Sequence, residues 1–102
     1  MVHTEKQILE KAKLILKDLK GKNYKEECIR KISFNKEKMV LKPEEKIIPA
    51  WTVSINSLFE NIDFLTISDE TGEPICYQNF TTKILEIAKD ETGKYYRVKK
   101  EI

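Results

Sequence analysis

Just past Gly21 the hydrophobic period of this 102-residue chain changes from 3.6 to 2, and that change decides its fold class. Before it, Thr4-Glu5-Lys6-Gln7 has the form of a capping box: the Thr4 hydroxyl accepts from the Gln7 amide while the Gln7 side chain reaches back to Thr4. Ile8, Ala12, Ile15 and Leu19, widened by Leu9 and Leu16, then make one apolar stripe, and Gly21 supplies a left-handed residue to end the helix. After it, CIRKISF alternates, with Cys28, Ile32 and Phe34 on one side. The clearest alternation is IIPAWTVSI, with Trp51, Val53 and Ile55 opposite Ala50, Thr52 and Ser54. Residues 64–68 and 73–78 continue the pattern. FTTKILEIAK fits a strand or a helix, and the strand is favoured because the β-rich KYYRV after Gly93 pairs naturally with it. Residues 35–46 read as a connection holding one short extended piece, MVL, since NKEK and KPEEK are polar and Pro43 lacks a ladder donor. The expectation is a single α+β domain over residues 1–102: one N-terminal helix packed on an antiparallel sheet of four or five strands.

The tetrapeptide DETG occurs twice, at residues 69–72 and 90–93, each time after an apolar run. An Asp that bonds forward to turn amides and a Gly that accepts positive φ suit a hairpin built on a type I turn. A calcium loop needs further Asx ligands and a later bidentate Glu, which are missing, and an aspartic-protease motif needs Asp directly before Thr-Gly, where Glu70 and Glu91 intervene. Both copies are therefore read as turns.

The net charge of +2 conceals a segregation: residues 47–82 hold Glu60, Asp63, Asp69, Glu70 and Glu73 and no lysine or arginine. A charged fraction of 35% against 40% hydrophobic describes a solvated globular chain, and no run of about 18 apolar residues is present to span a membrane. The first twenty residues mix charge with apolar side chains, unlike a secretory signal, so the expected location is cytoplasmic. Cys28, Cys76 and the single His3 lack the spacing of a metal site or of a cysteine nucleophile with its base. All three glycines are used by a helix end and two turns, leaving none for a phosphate loop. The chain is read as no enzyme, with no catalytic residue, cofactor or metal.

The Ala50-Trp51-Thr52-Val53 strand, followed by Ile67-Ser68-Asp69-Glu70-Thr71-Gly72-Glu73, resembles PepSY-type domains and similar small cystatin-like folds over residues 4–78. The same layout looks like that of small bacterial immunity proteins, cytosolic inhibitors that protect a cell from a toxin. PepSY domains usually lie outside the cytoplasm and restrain peptidases; here no export signal is read, and the second DETG hairpin extends past the matching part. The resemblance implies a small noncatalytic protein-binding module, an inhibitor or immunity-type protein. Its acidic-aromatic surface would comprise Trp51, Glu60, Asp63, Asp69, Glu70, Glu73 and Tyr77, joined by Tyr95 and Tyr96, and its partner would be a protein. Two alternatives stay open. A nucleic-acid binder would use Lys6, Lys13, Lys17 and Lys20 of the helix, although only Arg30 and Arg97 among the cations are arginine. A small-ligand domain would need a sizeable cavity between helix and sheet, lined by a few convergent polar groups.

Overall fold

The structure is a computed structural model that describes residues 2–40, 45–57, 61–80 and 83–98. Helix α1 spans Glu5–Lys20. Its capping box forms as the sequence predicts: Gln7 N donates to Thr4 Oγ1 at 3.1 Å and Thr4 N donates to Gln7 Oε1 at 2.8 Å. Glu5 in the first turn and Lys17 and Lys20 in the last complement the helix dipole. Gly21, at φ 58°, ends the helix by donating its N–H to the Lys17 carbonyl. Ile8, Ala12, Ile15 and Leu16 are fully buried, so the stripe faces the sheet, while Leu14 faces solvent.

Two short 3-10 turns lead into six strands, β1 Ile29–Val40, β2 Lys46–Asn56, β3 Ile62–Ser68, β4 Pro74–Gln78, β5 Ile84–Lys89 and β6 Tyr95–Arg97. They form one antiparallel meander in the order β1-β2-β3-β4-β5-β6. The α+β class and the helix-on-sheet layers follow the sequence expectation, but the sheet has six strands rather than four or five. Residues 84–89 are a strand, as favoured from the sequence, and β6 pairs with it as the sixth. Residues 35–40, expected as part of a connection, instead lengthen β1, and a register shift between Asn35 and Lys38 absorbs the polar stretch. Within that shift Asn35 Oδ1 accepts from Glu37 N at 3.0 Å, a local bond that turns the strand without breaking it. The Pro43 expectation falls outside the described residues.

One sheet face meets the helix. Trp51, Val53, Ile55, Leu65, Ile67, Tyr77, Ile87 and Tyr95 join the four buried helix residues in a single core, and Phe34 stacks tilted on Trp51 with ring centroids 5.0 Å apart. Cross-strand pairs Trp51–Ile67, Val53–Leu65 and Leu65–Tyr77 set these side chains in rows. The opposite face carries Ser54, Thr52, Phe64, Thr66, Cys76 and Gln78 at the alternate positions.

The β1–β2 hairpin outruns the rest of the sheet. Its pairing with β3 ends at Ala50–Ser68, yet β1 and β2 continue to Val40–Lys46 as a two-stranded arm. The arm curls over the outer face: Val40 is only 2% exposed, and with Lys38 it borders a cavity of about 250 Å³ shared with Thr52, Phe64, Thr66 and Cys76.

Replacing Ile15, fully buried against the sheet, is expected to lower the unfolding free energy by about 2–5 kcal/mol as Ile15→Ala. The neighbouring Leu14→Ala, on the solvent side, should change it by less than about 0.5 kcal/mol. Urea titrations of the two variants check the orientation of the helix, and equal losses would contradict it.

Candidate functional site

The two DETG segments share backbone but not use. Gly72 and Gly93 both take positive φ, 73° and 87°, as the turn reading requires. At the second copy Asp90 Oδ1 accepts from Thr92 N at 2.9 Å, Thr92 Oγ1 at 2.6 Å and Lys94 N at 3.0 Å, a self-contained solvent-exposed turn. At the first, Asp69 points inward and is 1% exposed. Its Oδ1 accepts from Trp51 Nε1 at 2.8 Å and His3 N at 3.0 Å, and its Oδ2 accepts from Val2 N at 2.7 Å. The Asp69 carbonyl oxygen, an acceptor only, meets His3 Nδ1, so the imidazole proton sits on that nitrogen. The His3 ring then lies over Gly72, where an added Cβ would come within 2.6 Å of Nε2. Burial alone would raise the Asp69 pKa; the donations from Trp51, Val2 and His3 outweigh it and hold the carboxyl below the ordinary aspartate range.

A second inward carboxylate is Asp63 at the start of β3. Tyr77 donates its hydroxyl to Asp63 Oδ2 at 2.6 Å and Phe80 N donates to Oδ1 at 2.9 Å. Burial and that carboxylate push Tyr77 far above the usual tyrosine range, so it stays a donor. Glu73, half-buried, accepts from the Tyr95 hydroxyl at Oε2 and lies 3.3 Å from Lys11 Nζ and 3.6 Å from Lys89 Nζ at Oε1. Burial opposes the ionised form, but Tyr95, Lys11 and Lys89 bring the Glu73 pKa down. Both lysines sit about 5 Å from the centre of the Tyr95 ring.

The seven residues expected to form an acidic-aromatic surface therefore do not share a face. Trp51, Asp63, Asp69 and Tyr77 are buried, Glu73 is half-buried, Glu70 is exposed at the turn, and Glu60 lies outside the described residues. Tyr95 is buried and Tyr96 exposed. Each described buried acid has donors assigned to it, which is what a low-dielectric interior demands of a carboxylate. The lysines of the nucleic-acid alternative are interrupted on the helix by Glu10, 3.7 Å from Lys13, and Lys20 turns toward the end of the sheet. Burial pushes the Cys28 and Cys76 thiols up, away from reactive thiolate. Among the described residues no group of three or more His, Cys, Asp or Glu side chains gathers as a metal site would.

What the sequence reading missed are two features at opposite ends of β2. One is the arm, where Met39 and Ile47 face each other across the hairpin and are 48% and 62% exposed. The other is a cleft of about 880 Å³ beside the C-terminal end of α1, where Lys20, Lys25 and Arg97 meet Tyr77 and Phe80. Neither has a local sequence signature, because each depends on residues brought together by strand register.

These features define a helix-covered six-stranded antiparallel meander with an overhanging hairpin. Comparison with protein-family models, with curated proteins and with solved structures gives no match. No helix among the described residues is long and apolar enough to cross a membrane.

The Asp69 cluster yields two expectations. A carboxyl whose folded pKa lies below its unfolded value, about 3.9, stabilises fully above that value and loses the contribution as pH falls from it through the folded pKa. Wild-type stability should thus drop as pH falls below about 5. Asp69→Asn, which weakens acceptance from buried Trp51 Nε1, should cost about 1–3 kcal/mol at pH 7 and flatten that dependence. Denaturation followed by the fluorescence of Trp51, the sole tryptophan, reads both. Separately, Gly93→Ala should cost roughly 1–2 kcal/mol for its left-handed backbone. Gly72→Ala should cost about 1 kcal/mol more, the worth of the displaced His3 hydrogen bond, and that excess should vanish in a His3→Ala background.

Proposed function

We propose that the protein is a small noncatalytic protein-binding module of the inhibitor or immunity-protein kind, working in the cytoplasm, and that it meets its partner through the β1–β2 arm rather than through an acidic surface. The observation that carries this reading is the exposed Met39–Ile47 pair. Single exposed apolar residues are ordinary, but these two are directly paired and stand on a hairpin extended beyond the sheet. An unbranched methionine adapts to the shape of a partner pocket, which suits a contact residue.

Other features support the same reading. Asp63, Asp69 and Glu73 are engaged in structural hydrogen bonds, and both thiols are held protonated, so these groups serve the scaffold more readily than acid-base or nucleophilic chemistry. The edge of β1 carries Arg30, Lys31, Lys36 and Lys38 together with two register shifts, features that discourage strand addition along its length. That leaves side chains on the arm, rather than backbone, to supply specificity. The cystatin-like and PepSY-like resemblance is part of this proposal and is supported only by the layout of one helix on an antiparallel sheet, β5 and β6 lying beyond the resembling residues 4–78.

Affinity capture from the native cell with wild-type protein, Met39→Ser/Ile47→Ser and Glu70→Lys tests the assignment. Burying two such side chains contributes roughly 1.5–3 kcal/mol each, so the double variant should bind the captured protein at least tenfold more weakly while Glu70→Lys binds as wild type. An unchanged thermal midpoint in the double variant ensures that the loss reports contact rather than folding. Retention of full affinity by the double variant would refute the arm as the contact.

A further inference from the structure

At the end of the molecule opposite the arm, we infer a binding site for a small organic anion, one with a phosphate or carboxylate head and a planar body, in the cleft beside the end of α1. This inference is independent of the arm. The cleft has a volume of about 880 Å³, within the roughly 300–1,000 Å³ of small-molecule sites and far more than an inorganic ion needs. Seven parts of the chain converge on it: the last turn of α1 with Lys20, the following segment with Lys25, the end of β2 with Asn56, β3 with Asp63, β4 with Tyr77, the residues after β4 with Phe80, and β6 with Arg97.

The electrostatic balance selects the sign of the ligand. Among the described residues, Lys20, Lys25 and Arg97 have no carboxylate within 4.0 Å, whereas Lys11, Lys13 and Lys89 each do. The cleft's own carboxylate, Asp63, accepts from Tyr77 and Phe80 N. The C-terminal end of α1 adds about half a negative charge. Glu27 also acts on Cys28 at this cleft, yet the three lining cations exceed these two carboxylates and that half charge, so the cleft favours anions.

The geometry of Arg97 adds the shape. Its guanidinium carbon lies 5.5 Å from the Tyr77 ring centroid. A guanidinium held over a ring by its charge uses none of its N–H donors in a hydrogen bond there, and an oxyanion takes such donors two at a time. Phe80, 40% exposed at the rim, offers a ring face to a planar body, and Asn56 and Ser57 offer neutral donors nearby. Lysines as point charges and one arginine as a fork are chemistry shared by phosphate and carboxylate recognition.

Titration of the full chain with adenosine monophosphate, benzoate and neutral adenosine, followed through backbone amide resonances at low salt, tests the site. Adenosine monophosphate or benzoate should shift the amides of Lys25, Cys28, Phe80 and Arg97, and adenosine should bind at least tenfold more weakly than the monophosphate. Which of the two anions binds more tightly distinguishes a phosphate from a carboxylate head. Lys25→Ala, an exposed position that leaves folding intact, should weaken the better anion at least threefold, and Lys25→Ala/Arg97→Ala at least tenfold. Met39→Ser/Ile47→Ser should leave this binding unchanged, so a failure of the arm is separable from a failure of the cleft. No shift at the cleft amides at millimolar anion, equal binding of adenosine, or undiminished affinity in Lys25→Ala/Arg97→Ala would overturn the assignment.

Discussion

The carboxylate of Asp69 is the constraint on which the two layers of this protein depend. A carboxylate 1% exposed is tolerated only when its lone pairs are filled, and here the three donors come from two distant parts of the chain: Val2 and His3 before the helix, and Trp51 in β2. The Asp69 amide in turn donates to the Pro49 carbonyl at 3.1 Å, tying the β3–β4 turn to β2. One side chain thus fixes where the helix begins relative to the sheet. It also fixes the orientation of Trp51, which packs on Phe34 and joins the central core.

The charge segregation of the sequence has its physical explanation in the same layer contact. Residues 47–82 contribute acids without cations because several of their partners lie in the helix, the N-terminal segment and the last hairpin. Glu73 stands beside Lys11 of α1 and Lys89 of β5, while Asp69 takes the amides before α1. The complement runs the other way at β6, where Tyr95 N donates to Asp18 Oδ2 of the helix at 3.1 Å and so satisfies an edge-strand amide. Partly exposed pairs of this kind add little stability each. Their larger effect is on register, since sliding the helix by one turn would break several of them together.

Much of the fold was legible because its determinants are local. The capping box at Thr4, the stripe from Ile8 to Leu19, the glycine at each turn and the Trp51-Val53-Ile55 face all act within a few residues of themselves. The length of β1 was not legible: Asn35, Lys36, Glu37 and Lys38 look like a loop, and only the bulge seen in the pairing with β2 shows how a strand accommodates them. The site was harder for a related reason. Asp69 and Asp90 begin identical tetrapeptides, and nothing in DETG tells the buried acid from the exposed one. The difference lies across the sheet, in Trp51 and His3, which offer Asp69 donors that compete successfully with the turn amides. An acid in a strand-loop segment reads as surface unless its distant donors are known, and so Asp63 and Asp69, expected outside, were found inside with the Trp51 and Tyr77 that donate to them.

Element lengths explain why functional candidates sit at the ends of the molecule. A 16-residue helix is about 24 Å long. The seven residues of β3 span about 23 Å, and the eleven of β2 about 36 Å. The helix starts beside Asp69, just after β3, and ends at the cleft bordered by Asp63 near the start of β3, so it matches β3 almost end to end. Its apolar stripe is then used up on the inner face, where the core is filled. β2 exceeds this covered length by roughly 12 Å, and the excess, together with β1, becomes the arm whose Met39 and Ile47 no helix can reach. At the other end the helix stops at Gly21 before the sheet is closed over, leaving the cationic cleft. The two proposed binding surfaces would thus both follow from mismatch between a short helix and a long hairpin: lengthening α1 would fill the cleft and shortening β1–β2 would remove the arm, each without disturbing the Asp69 node.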